Sequence, residues 1–269
     1  MWRLRNVGIL LITMLGLQTA CAETPKALTE LPVPIKQGGN SSSPIRVIFI
    51  HGSPGSKEAY DDYLQHHALQ LLDLVSVDRL GFGESGSDVE TSLHRQAEAI
   101  VPLLENSEKR TFLVGHSLGG PIALQVALLV PEKVSGLLLI ASAFDPVLED
   151  PKWYNYLADT MVAKWVLPED MNRSNEEMMV LEGELEKLSE QNWETLNMPI
   201  VLVHGEEDDI ADPRNSVFAK QKLDGAELKL LPNEGHFVLW QNVTILVNEI
   251  NALINQSLTY QEEQPKTGM

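Results

Sequence analysis

The 269-residue sequence has one cysteine, Cys21, so it can form no intrachain disulfide and must be held together by packing. Basic residues are scarce: 20 Lys and Arg stand against 38 Asp and Glu, a formal charge of −18. Such a surface repels phosphate backbones and anionic lipid headgroups, so no nucleic-acid partner is expected. Long apolar runs are missing too. The stretch Val7 to Leu17 spans eleven residues, too few to cross a bilayer. No internal repeat is evident, which excludes a repeat array. What is present is 43% hydrophobic content in a chain of this length, enough for one substantial core. One domain carrying an insertion is expected.

The N-terminus reads separately. Arg3 and Arg5 precede the apolar run, and Ala20-Cys21-Ala22 ends it with small residues. This order predicts a signal peptide over residues 1–22 and an exported protein, periplasmic or secreted, beginning near Glu23. Leu17 to Cys21 also resembles the lipobox of bacterial lipoproteins, with Gln18 departing from the usual aliphatic residue. On that reading a lipid on Cys21 would anchor the chain at the outer surface of a membrane, its sole membrane link. Residues 23–44 are polar and rich in Pro and Gly, a leader or linker with at most one short strand around Leu31 to Ile35.

From Ile45 the pattern alternates between short apolar runs and amphipathic stretches. Alternation of this kind predicts an α/β fold, a mostly parallel sheet with helices on both faces. Strands are expected at Arg46–Ile50, Leu72–Val77, Thr111–Val114, Val134–Ala141, Pro199–His204 and Ala226–Leu231. Helices are expected at Lys57–Leu71, Ser92–Leu104, Asp212–Leu223 and Phe237–Ile254. The core would then comprise residues 45–144 and 198–256, with a tail at 257–269. Between them, 145–197 has helical patterning only, for example Met178-Met179-Leu181-Leu185-Leu188.

The organising motif is Thr111 to Pro121, TFLVGHSLGGP. A buried strand runs into a helix through Gly-His-Ser-Leu-Gly, matching the G-x-S-x-G nucleophile elbow. The sharp turn forces Ser117 into a strained conformation that lifts its hydroxyl clear of the sheet, with the helix N-terminus aimed at it. Gly115 and Gly119 flank it where strand and helix pass too closely for a Cβ. On these residues, and on the order of candidate partners downstream, the chain resembles the α/β-hydrolases, serine esterases and lipases with a small helical cap. The resemblance implies that 145–197 is that cap, over the carboxyl ends of the strands, and that the N-terminal strands are reduced. Trp153, Trp165 and Trp193 either line a pocket beneath the cap or form its own core.

The same resemblance assigns roles. His236 follows the last strand, where the family places its general base. Asp208 stands three residues after Gly205, in the position of the orienting acid; Asp209, Glu206 and Asp145 are rivals that the sequence leaves open. The oxyanion would be met by the backbone of Leu118, directly after the nucleophile, and of Ser53, the residue after His51-Gly52. Pro54 has no N–H to offer. His51 and His204, each before a glycine after a strand, are expected to satisfy local backbone groups, and His116 to point away from Ser117.

Gly81 to Gly86 matches G-x-G-x-x-G, but a dinucleotide site needs a helix to open inside the motif, and here Ser87, Asp88 and Glu90 continue a loop. Asp78-Arg79-x-Gly-x-Gly-x-Ser instead resembles a loop of the α/β-hydrolases. No cofactor or metal is implied. The reading is a serine hydrolase acting on a small-molecule carboxylic ester through an acyl-enzyme. The HGSPG loop also resembles proline-iminopeptidase-like enzymes, leaving amide or peptide cleavage open, and a non-catalytic ligand-binding member of the fold is a third possibility.

Overall fold

The computed structural model describes residues 33–86 and 88–263. The expected signal peptide, the lipidation site at Cys21 and the first part of the linker lie outside the described residues. Among the described residues seven strands form one sheet in the order β1-β3-β2-β4-β5-β6-β7. They are β1 (Ile35–Gly39), β2 (Ile45–Ile50), β3 (Asp73–Val77), β4 (Arg110–His116), β5 (Val134–Ile140), β6 (Ile200–Gly205) and β7 (Glu227–Leu231). All neighbours are parallel except β1, which pairs antiparallel with β3. Leu31 and Pro32 lie outside the described residues; among those described, the N-terminal edge is one strand that starts at Ile35, where the expected Leu31–Ile35 ends. Its pairing with Asp73–Val77 sets the register, and local composition carries no trace of that.

The strands alternate between two cores, as the period-two geometry of a strand requires. Ile48 and Ile50 face one side, with Val75, Leu113, Leu137 and Leu202; Val47 and Phe49 face the other, with Leu74, Val114, Leu138 and Val203. The first side is covered by α1 (Leu93–Ile100) and α2 (Gly119–Leu129), the latter buried along nearly its whole length. An insertion after β5 contributes α3 (Trp153–Ala158), α4 (Met161–Val166) and α5 (Glu169–Ser189), of which α5 packs Leu181, Leu185 and Leu188 onto the same core. Next come α6 (Arg214–Lys222), also on this side through Ala219, and α7 (Val243–Glu263), which covers the opposite face.

Two further expectations change, and one open alternative narrows. Lys57–Leu71 is not one helix but a chain of short turns, Lys57–Tyr60, Asp61–Leu64 and His67–Leu69. His66 is extended and its Nδ1 accepts the Ala68 N–H, restarting the chain, while Leu71 is 82% exposed. Tyr60 and Tyr63 are locked down by hydroxyl bonds to the carbonyls of Ile50 and Leu239. The closing helix is interrupted at Asn242, whose backbone is not helical, and then runs past the expected end to Glu263. It continues because Leu246, Ile250, Leu253 and Ser257 form one buried stripe at helical spacing. Finally, Trp193 is 2% exposed, donates its indole N–H to Leu188, and packs on Phe144 and Phe218. It belongs to the main core on that first side of the sheet. Trp153 and Trp165 are 75% and 89% exposed, so neither is enclosed in a pocket.

Candidate active site

Every expected site residue lies on a loop leaving the carboxyl end of a parallel strand, the edge where ligands gather in such sheets. The turn from β4 into α2 is tight. A Cβ on Gly115 would stand 2.3 Å from the Gly119 carbonyl oxygen, and one on Gly119 would stand 2.1 Å from that of Ile50. Only glycine permits this approach. Between them Ser117 has φ 54°, a left-handed conformation uncommon for a residue with a side chain, held by its own N–H bond to the Ile140 carbonyl at 2.9 Å.

The loops after β6 and β7 bring their side chains to this serine. His236 Nε2 lies 3.1 Å from Ser117 Oγ, and His236 Nδ1 lies 2.8 Å from Asp208 Oδ2. A carboxylate only accepts, so the ring hydrogen sits on Nδ1 and the Nε2 lone pair is directed at the hydroxyl. Asp208 is itself fixed: Oδ1 accepts the N–H groups of Ile210 and Ala211, each at 2.9 Å. Burial pushes its carboxyl up, yet the hydrogen bonds from His204 and His236 outweigh that and hold it below the usual carboxylate range. The rival acids stand elsewhere. Asp209 and Glu206 are exposed, and Asp145 caps a short turn by accepting the Val147 N–H. Among the described residues, neither the Leu118 nor the Ser53 N–H is donated to a protein acceptor.

Two histidines do more than the sequence revealed. His204 Nε2 lies 3.1 Å from Asp208 Oδ2 and 2.9 Å from the Ala211 carbonyl, so it donates there, while Nδ1 accepts from Ser216 Oγ at 2.7 Å. It thereby gives Asp208 Oδ2 a second donor. His116 Nε2 reaches the His236 carbonyl at 3.0 Å and holds the backbone of that residue. The only hint in the sequence is their place at the end of an apolar run, His116 directly before Ser117 and His204 four residues before Asp208. At the Gly81–Gly86 loop, Asp78 takes the Lys57 ammonium and the Glu84 N–H, and among the described residues no helix opens before Leu93. That is a structural loop.

His51 and His116 are both buried and neutral. Burial pushes both below their ordinary 6.5, His116 to about 3, with the nearby His236 adding to the effect. A histidine buried in this way takes up its proton only on unfolding. The unfolded chain therefore binds more protons below 6.5, and stability falls as pH drops through that window. Lowering the pH from 6.5 to 5 is expected to cost about 2 kcal/mol at His116 alone. Denaturant midpoints measured across this interval should fall less for His116→Gln than for the unsubstituted chain.

Residues 47–247 match the Alpha/beta hydrolase family. The chain belongs to that family. Among curated proteins it is similar to the pimeloyl-[acyl-carrier protein] methyl ester esterase of Edwardsiella ictaluri, 35% identical over 97 residues, 36% of each chain. It is also similar to the dihydrolipoyllysine-residue acetyltransferase component of the acetoin cleaving system of Pseudomonas putida, 32% identical over 110 residues, 39% of this chain and 28% of that one. These matches span only about a third of either relative. Among solved structures, a lipase-esterase related protein from Clostridium acetobutylicum superposes with a TM-score of 0.66 at 18% identity, over 82% of this chain and 99% of that one. This last likeness speaks for the fold alone.

Proposed function

We propose that the protein is a serine hydrolase that cleaves carboxylic esters of small molecules through an acyl-enzyme. The observation that carries the reading is the relay in which Asp208 holds His236 Nδ1 at 2.8 Å while His236 Nε2 stands 3.1 Å from Ser117 Oγ. In this reading Ser117 Oγ attacks the ester carbonyl and His236 Nε2 takes its proton, the imidazolium being stabilised by Asp208. The oxyanion accepts from the N–H groups of Leu118 and Ser53. His236 returns the proton to the alkoxide as it leaves, and a water, deprotonated by the same nitrogen, releases the acid. Similarity to a methyl ester esterase supports esters over amides, because an alkoxide leaves more readily than an amine.

The test compares nitrophenyl esters of increasing acyl length with aminoacyl nitroanilides on the purified chain. Turnover of esters in preference to nitroanilides is expected. A clear nitroanilide preference would replace the substrate class with amides or peptides, and turnover of neither would favour a binding protein.

A further inference from the structure

Arg79, on the loop after β3, is the largest fully buried side chain among the described residues. A guanidinium taken out of water needs a counter-charge and acceptors for its N–H groups. The counter-charge and the acceptors for Nη1 and Nη2 are supplied from a distance, while Nε has no partner among the described residues. Glu177, buried on α5 of the insertion, receives Nη1 at 2.6 Å on Oε1 and Nη2 at 3.1 Å on Oε2. Nη2 also donates to a backbone oxygen, the carbonyl of Gly52, at 2.9 Å.

That carbonyl has a second donor. The Arg79 N–H is given to His51 Nε2 at 3.1 Å, which places the ring hydrogen on His51 Nδ1, and Nδ1 lies 2.7 Å from the same Gly52 oxygen. The Gly52 carbonyl is one end of the peptide unit whose other end is the Ser53 N–H. In a planar trans peptide the two ends point in opposite directions, so tying the oxygen toward Arg79 aims the N–H the other way. This peptide runs beside the nucleophile: a Cβ on Gly52 would stand 2.9 Å from Ser117 Cβ. Two donors on the carbonyl, one of them cationic, also polarise the amide and strengthen its N–H.

We propose that Arg79 and Glu177 are positioning residues for the oxyanion hole, with Glu177 on the insertion holding the guanidinium that orients the Gly52–Ser53 peptide. The inference rests on the serine-hydrolase reading above. It ties the seating of α5 to the competence of the site, since withdrawing Glu177 frees the guanidinium, one of the two donors on the Gly52 carbonyl that aim the Ser53 N–H.

The test uses Glu177→Gln, close in shape, and the pair Arg79→Met with Glu177→Leu, which replaces two buried charges by apolar side chains of similar length. Apolar replacements of buried ion pairs commonly fold as well as the original. Three quantities are read on each: ester kcat per active site titrated with a fluorophosphonate, KM, and affinity for a trifluoromethyl ketone whose adduct with Ser117 carries its oxyanion in the hole. The pair variant is expected to lose about 100-fold in kcat and in ketone affinity together, the scale of one lost oxyanion donor, with KM little changed. Glu177→Gln, which keeps one acceptor oxygen, should lose less. A purely structural role would lower the melting temperature and the number of titratable sites while leaving kcat per site and ketone affinity intact. That result, in either folded variant, overturns the proposal. If the unsubstituted protein turns over no ester, the hydrolase reading fails first; if it is active and the variants match it, this inference alone fails.

Discussion

Ser117→Ala is expected to lose fluorophosphonate labelling entirely and ester turnover by about a million-fold, the scale seen when a nucleophile acting in concert with its base is removed. The fold should be retained. Only Oγ is deleted, the left-handed φ of 54° is no more strained for alanine than for serine, and the elbow is held by its backbone bonds and by the close approach at Gly115 and Gly119. Melting temperature and labelling are the paired measurements. An alanine variant that folds normally and still hydrolyses nitrophenyl esters would assign the chemistry to some other group.

The second large effect separates two adjacent acids. Asp208→Asn is expected to lower kcat by about 10,000-fold, and Asp209→Asn to leave it within about twofold. The reason lies in which atoms face Asp208. Its Oδ1 accepts two backbone N–H groups, so the amide oxygen of an asparagine must occupy that position. The amide nitrogen then falls where Oδ2 now accepts from His236 and His204. Facing a donor, His236 Nδ1 must become an acceptor and its hydrogen moves to Nε2, toward Ser117 Oγ. The base is then in the wrong tautomer. Asp209 is exposed and touches none of these groups. Steady-state kinetics of the two variants side by side decide it; an equal loss in both, or a greater one at Asp209, would remove Asp208 from its role.

The parts of the site legible in the sequence are those whose geometry is local. The elbow needs an apolar strand, glycines at Gly115 and Gly119 and a helix start, all within a dozen or so residues, and each requirement leaves a mark on residue type. Asp208 and His236 were legible at one remove, because each follows a strand whose apolar run is plain and the resemblance supplies the order. The choice of Asp208 over Asp209 was not settled there. Neighbours on a loop differ in where their side chains point, and only the bonds from the Ile210 and Ala211 N–H groups fix that.

Other features escaped because nothing local encodes them. The apolar spacing from Lys57 to Leu71 suits a helix, yet the tyrosines bond to the carbonyls of Ile50 and Leu239, and the chain breaks into turns to meet them. Trp193 reads equally well as pocket wall or as core until Phe144 and Phe218 are seen against it. Polar spacing beyond Ile254 suggests a tail, whereas one buried stripe extends the helix to Glu263.

Residue order therefore determined the class of fold and the strand–turn–helix around Ser117, since alternation and glycine placement constrain a backbone over short distances. Tertiary packing decided the rest: which carboxylate meets His236, what His116 and His204 hold, and that Glu177 of the insertion reaches Arg79 behind the Gly52–Ser53 peptide. Those contacts join residues far apart in the chain, and their energies depend on distances and burial that come into being only when the sheet, its helices and the insertion close on one another.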